Sequence, residues 1–202
     1  MMTPTLFLLC LLAALLELDT TYTFQLTFSR GIIAAPLFSL LTGDVMAGVQ
    51  VGVFTELLFV DVSPLGGILP PSAVVCSFLT LALHASGVEL YLAFIFGVVA
   101  SLAFAVAEKY RRKSRLHWLI YWEQRILQKP GYVNRAIVRS LCGCFGINFV
   151  LLFMLLWVGL QVVPWVASLL PDQAQIACKF AYMAVPWIGL SALIPEFRLK
   201  TR

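Results

Sequence analysis

The chain has 202 residues, of which 61% are hydrophobic and only 12% are charged, and its formal net charge is +4. A soluble domain is about a quarter charged, so this composition excludes an ordinary water-soluble protein and predicts an all-α, polytopic membrane protein. The small positive balance gives no indication of nucleic-acid binding.

The basic residues are unevenly placed and predict the topology. Nine of the fourteen Lys and Arg lie between Lys109 and Arg139, whereas none lies between Gly31 and Ala107. Because Lys and Arg concentrate on cytoplasmic loops, we expect the 108–139 segment and the C-terminus to be cytoplasmic. Two apolar segments, about 140–163 and about 174–194, provide the even number of crossings that this arrangement requires.

The N-terminal part is predicted to contain helices of unequal length. We expect a retained first membrane helix at about 3–20 and a short apolar segment at 31–42. Gly43 and Asp44 break this segment, and Asp44 is placed to cap the next helix, at about 45–60. That helix spans roughly 24 Å, which is less than the bilayer core.

A Pro/Gly-rich segment follows at 63–72, and its three prolines and two glycines exclude a regular helix. It lies between apolar segments, and irregular backbone at membrane depth survives only inside protein or beside a polar cavity. A helix at about 73–85 and a full span at about 88–107 come next. We therefore expect spanning helices together with short, broken or re-entrant helical segments.

The basic segment contains an amphipathic pattern. Trp118, Trp122 and Ile126 share one helix face, as expected for a helix that lies among the lipid headgroups. We interpret the whole chain as a single membrane domain with three parts: an N-terminal bundle with broken segments at 1–107, a cytoplasmic basic loop at 108–139, and spanning helices with a basic tail at 140–202.

Glu56 is the most informative polar residue of the apolar half. Gly48, Gly52 and Glu56 recur every four residues, so they lie on one helix face, where the glycines allow another backbone to approach closely. An intramembrane carboxylate costs at least about 2–3 kcal/mol and normally has a partner. Three explanations are open: a protonated structural group, an ion pair with Arg30, or a site for a polar solute or a proton.

Three further residues are candidates for the same cavity. Gln25 lies in the polar break after the first helix, Asp61 lies at the end of the third, and Ser72 is placed to cap the helix that follows. Each also has a structural interpretation, as a loop amide, an interfacial acid or a helix cap. His84 and His117 lack the companions of a metal site, and no catalytic or cofactor-binding motif is present.

The ordered motif of this region resembles the IIC membrane subunit of the mannose/sorbose-type sugar phosphotransferase system. The resemblance covers about residues 15–85. It rests on the run Arg30-Gly31, Gly43-Asp44, Gly48, Gly52, Glu56-Leu57, Gly66-Gly67 and Pro70-Pro71, preceded by Leu16-Glu17-Leu18-Asp19-Thr20-Thr21-Tyr22.

The resemblance implies a sugar-translocating subunit in the bacterial cytoplasmic (inner) membrane, not an enzyme, with no cofactor. Such a subunit works with a IID membrane partner in a higher oligomer of IIC–IID pairs. Cytoplasmic IIA and IIB carriers deliver phosphate, and the arriving hexose or amino-hexose is phosphorylated on IIB. The substrate-binding residues it implies are Glu56, Gln25, Asp61 and Ser72.

Two alternatives remain beside this function. The chain departs from the family pattern at Gly31, where the family usually has Pro, and at Ser72, where it usually has Asp or Asn. The C-terminal half is also short for the family. A solute facilitator independent of phosphorylation, or a degenerate membrane scaffold that anchors the phosphocarriers through the basic 109–139 segment, would fit these departures.

Overall fold

The computed structural model describes residues 4–20, 27–60, 69–128 and 133–199. These residues form seven α-helices and no strand, which confirms the all-α class. The helices are α1 (Pro4–Asp19), α2 (Gly31–Thr42), α3 (Val45–Phe59), α4 (Ala73–Ala85), α5 (Leu90–Gln128), α6 (Val133–Leu169) and α7 (Asp172–Leu199).

Local chemistry sets the ends of the short helices. Gly43 adopts φ 87°, a left-handed conformation that suits glycine, and its N–H donates to the Ser39 carbonyl at the end of α2. Asp44 then caps α3, because its Oδ1 accepts from the Ala47 N–H at 3.0 Å. Ser72 caps α4 in the same way, at 3.3 Å from the Val75 nitrogen. Both predicted caps are confirmed.

Within the part of the chain that the structure describes, three helical stretches are long and apolar enough to cross a membrane: Leu90–Arg115, Val133–Leu169 and Asp172–Ile194. The predicted spans at 140–163 and 174–194 fall within the second and third of them, and the predicted span at 88–107 overlaps the first, which begins at Leu90. The first four helices have 12 to 16 residues, and at 1.5 Å per residue they reach only about 18–24 Å. This length agrees with the short membrane segments expected there.

Most of the 108–139 segment, where we expect a cytoplasmic basic loop with an amphipathic helix, is helical. α5 continues without interruption to Gln128, and α6 begins at Val133. Charge locates the end of the apolar part but does not end a helix. The first helix breakers after Gly97 are Pro130 and Gly131. The predicted amphipathic helix is thus the last part of α5, and its Trp and Ile side chains lie outside the described residues.

α4 occupies the centre of the fold. All ten residues from Val74 to Leu83 are buried, and α4 packs against α1, α2, α3, α5 and α6. A helix that is apolar all round is expected in such a position. Tight approach supports this packing at Gly97 of α5, where an added Cβ would lie 2.5 Å from the Thr80 hydroxyl oxygen.

Candidate functional site

Glu56 lies beside Arg30, the residue that precedes α2. Arg30 Nη1 donates to Glu56 Oε2 at 3.3 Å. Of the three explanations for Glu56, the pairing with Arg30 is therefore present in the structure. The Arg30 side chain is 66% exposed and the Glu56 side chain 26%, so the pair lies at the edge of the α2–α3 packing and not within it.

Glycines bring α2 and α3 together at this point. An added Cβ at Gly52 would lie 2.8 Å from the Gly31 carbonyl oxygen, and one at Gly48 would lie 2.2 Å from the Ser39 Cβ. The close approach predicted from the Gly48, Gly52 and Glu56 spacing is confirmed, and the approaching backbone is α2. This contact places Glu56, one turn after Gly52, level with the start of α2, where Arg30 lies.

The second oxygen of Glu56 has no partner in the part of the chain that the structure describes. Oε1 is buried and accepts no hydrogen bond there. A buried acceptor left unpaired costs about 1–3 kcal/mol or more when it is charged. Such an atom is an available position for the hydroxyl group of a ligand, because a carboxylate accepts strong hydrogen bonds.

Ser72 forms a contact that its role as a cap alone does not require. Its hydroxyl donates to Glu17 Oε2 at 2.6 Å while its oxygen accepts from the Val75 N–H. Glu17 is buried near the C-terminal end of α1. The start of α4 is thereby joined to the end of α1, and a carboxylate lies beside the capped N-terminus of α4.

Glu17 is also the residue that sequence reasoning missed. It lies within electrostatic range of Glu108, Arg111 and Arg112 of α5. The sequence does contain a signal for Glu17, because it is an acidic residue inside an apolar helix. The same observation identifies Glu56 as a candidate site residue. Glu17 lies next to the polar stretch that follows residue 19, and an acid in that position is also typical of the end of a membrane helix.

Arg111 connects this region to α6. Its Nη1 donates to the Asn148 Oδ1 at 2.5 Å, and its Nη2 lies 3.3 Å from Glu108 Oε2. Asn148 is only 2% exposed, so its amide needs this partner. Residues of α1, α4, α5 and α6 therefore form one polar region, which also lies at the basic end of α5.

Two of the predicted site residues cannot be placed in the structure. Gln25 and Asp61 lie outside the described residues, and so does the Pro/Gly segment up to residue 68. Among the described residues, no group of His, Cys, Asp and Glu could hold a metal ion. His84 contacts two neighbouring groups of the fold: Nδ1 lies 3.0 Å from the Val88 carbonyl oxygen and Nε2 lies 3.6 Å from the Asp44 carboxylate.

Comparison with known proteins gives a family and a fold. The family described as "PTS system sorbose-specific IIC component" matches residues 4–197. A solved structure titled "Structure of membrane protein" is similar with a TM-score of 0.70 and 15% identity, covering 98% of this chain and 85% of that one. At this identity the likeness shows the fold alone. No curated protein sequence matches.

Proposed function

The chain belongs to the sorbose-specific IIC component family of the sugar phosphotransferase system, and from this we propose that it forms the sugar pathway through the membrane together with a IID subunit. It is a membrane component of sugar transport, and the phosphorylation step belongs to its partners. Cytoplasmic IIA and IIB carriers would supply the phosphate, and IIB would phosphorylate a hexose or amino-hexose as it arrives. The assembly would be a higher oligomer of IIC–IID pairs.

The observation that carries the sugar-binding role is Glu56 Oε1, a buried atom that accepts no hydrogen bond from the residues that the structure describes. A sugar presents several hydroxyl donors, and a buried carboxylate oxygen without a partner is a suitable acceptor for one of them. We propose Glu56 as the first ligand contact, with Gln25, Asp61 and Ser72 contributing further polar groups. Glu17 is added to this set, because it holds the Ser72 hydroxyl.

The location of the basic residues supports an orientation. Lys and Arg follow the apolar part of α5 and recur in the first turns of α6, at Arg135 and Arg139. Under the positive-inside rule this end is cytoplasmic. Because α6 and α7 are both long enough to cross, the C-terminus returns to the same side, in the bacterial cytoplasmic (inner) membrane.

Uptake of labelled sugar tests the role of Glu56. The full chain is expressed with its IID, IIB and IIA partners, and we expect Glu56→Gln to lower uptake roughly tenfold or more, since a hydrogen bond to a charged group contributes about 1.5–3 kcal/mol. Glu89→Gln makes the same change at an exposed acid before α5 and should leave uptake intact.

Two outcomes would contradict the proposal. Unchanged uptake and sugar binding in Glu56→Gln would remove Glu56 from the site. Sugar entry that needs neither phosphoenolpyruvate nor IIB would instead identify a facilitator. Arg30→Gln separates the ion pair from the ligand contact, because it removes the cation and leaves the carboxylate in place.

A further inference from the structure

Four charged residues form a stripe along the basic end of α5. Glu108, Arg111, Arg112 and Arg115 follow a spacing of three, four and seven residues, so they lie on one helix face. Both oxygens of Glu108 are used: Oε2 lies 3.3 Å from Arg111, while Oε1 contacts Arg112 at 3.4 Å and also Arg115. One carboxylate thus holds three guanidinium groups close together.

The stripe carries more positive than negative charge. Three guanidinium groups face one carboxylate, and Lys109 and Lys113 lie exposed beside them on the same turns. Glu17 lies within electrostatic range of this cluster, and among the groups whose contacts the structure describes, three guanidinium groups stand against two carboxylates. An excess of buried or half-buried positive charge favours a bound anion.

The arginines differ in accessibility in a way that suits a ligand. Glu108 and Arg111 have side chains only 12% and 15% exposed, whereas those of Arg115 and Arg112 are 31% and 45% exposed. Arg112 contacts Glu108 through Nε, and no described contact engages its two terminal nitrogens. The inner residues therefore hold the cluster in place, and Arg112 presents donors at its surface.

The inner arginine is fixed from a second side. Arg111 donates to the buried Asn148 of α6 as well as contacting Glu108. A guanidinium group that is already oriented loses less conformational freedom when it binds an anion. The apolar part of α5 gives way to charged residues from Glu108 onward, and such a change along a spanning helix is expected where the membrane meets the aqueous phase.

We propose that the Arg111, Arg112 and Arg115 cluster is a phosphate-binding site. Planar guanidinium groups pair with phosphate oxygens through parallel hydrogen bonds, and phosphate carries the charge that the cluster lacks. The phosphate comes either from an anionic lipid headgroup or from a soluble phosphorylated compound on the cytoplasmic side. The evidence for this site is the geometry of the arginine residues, which does not depend on the proposed role in sugar transport. A binding measurement alone therefore tests it.

Purified full-length chain tests the site with two probes. In phosphatidylcholine nanodiscs, inorganic phosphate is titrated by calorimetry at low salt. In vesicles of mixed phosphatidylcholine and phosphatidylglycerol, the lipids that remain bound are identified by native mass spectrometry. Each measurement uses the wild type, Arg112→Gln, and the matched control Lys113→Gln, which removes one exposed cation from the same helix.

We expect saturable binding of one probe, weakened roughly tenfold by Arg112→Gln and changed less than twofold by Lys113→Gln. Binding of inorganic phosphate identifies a soluble ligand, and selective retention of phosphatidylglycerol identifies a lipid. Arg112→Lys should recover only part of the affinity, because it restores charge without the planar donors. Absence of binding by both probes, or equal weakening in the two Gln variants, would overturn the proposal.

Discussion

α4 and α7 are both apolar helices, but the protein uses them differently. α4 buries ten consecutive residues among five neighbouring helices, whereas the membrane-crossing part of α7 is only 17% buried. The short inner helices also supply Glu17, Glu56 and Ser72 of the candidate site. The long helix α7 therefore lies at the surface of this bundle, whereas the shorter helix α4 forms its interior.

The sharpest test of this difference is removal of one aromatic ring from each region. Phe78 of α4 is fully buried and packs edge-on against Phe38, with ring centroids 6.1 Å apart. We expect Phe78→Ala to lower the free energy of unfolding by about 3 kcal/mol, because a cavity remains. Phe180→Ala, at a residue of α7 that is 66% exposed, should cost less than about 0.5 kcal/mol.

Reversible unfolding in mixed detergent micelles, titrated with dodecyl sulfate, measures both variants. Comparable losses at the two positions would show that α7 is not a peripheral helix.

A second test adds one methyl group to a glycine in each region. Gly48→Ala places a Cβ 2.2 Å from that of Ser39 and 3.0 Å from the Ala35 carbonyl oxygen, so α2 must move, at about 1–3 kcal/mol. Gly143→Ala on α6 meets nothing within 4 Å and should gain up to about 1 kcal/mol of helix propensity. The same titration applies, and a stable Gly48→Ala variant would refute the close α2–α3 contact.

The smallest expected difference concerns two serines. Ser72→Ala removes a helix cap together with the hydrogen bond to Glu17, which should cost about 1–2 kcal/mol. Ser191→Ala removes an exposed hydroxyl that only donates to the Ile188 carbonyl, and it should stay within about 0.5 kcal/mol. Hydrogen exchange at the first turn of α4 gives an independent measurement, with faster exchange expected only in Ser72→Ala. Unchanged exchange there would mean that the cap contributes nothing.

Features encoded within a few residues were predictable from the sequence. The end of α2 at Thr42 and the start of α3 at Val45 follow from Gly43 and Asp44, because a left-handed glycine ends one helix and a carboxylate caps the next. The end of α5 was not predicted, because a change from apolar to charged residues marks a change of solvent and not of backbone conformation.

Contacts between distant parts of the chain were the harder task. Arg30 and Glu56 are 26 residues apart, and Glu17 and Ser72 are 55 apart. The sequence around Glu56 left three explanations for its carboxylate open. Only the antiparallel packing of α2 on α3 brings Arg30 beside it. Nothing local joins Glu17 to Ser72, since their meeting depends on how α1 lies against α4.

The uninterrupted length of α5 has a mechanical consequence. Its 39 residues correspond to about 58 Å of helix, roughly twice the thickness of the hydrocarbon core. The part at 116–128 follows the charged residues of the arginine cluster and adds about 20 Å, so a tilt of about 10° would displace its far end by about 3.5 Å. One part of α5 therefore packs among the buried helices and the other extends beyond the hydrocarbon core, so a small change of tilt becomes a larger displacement at its far end.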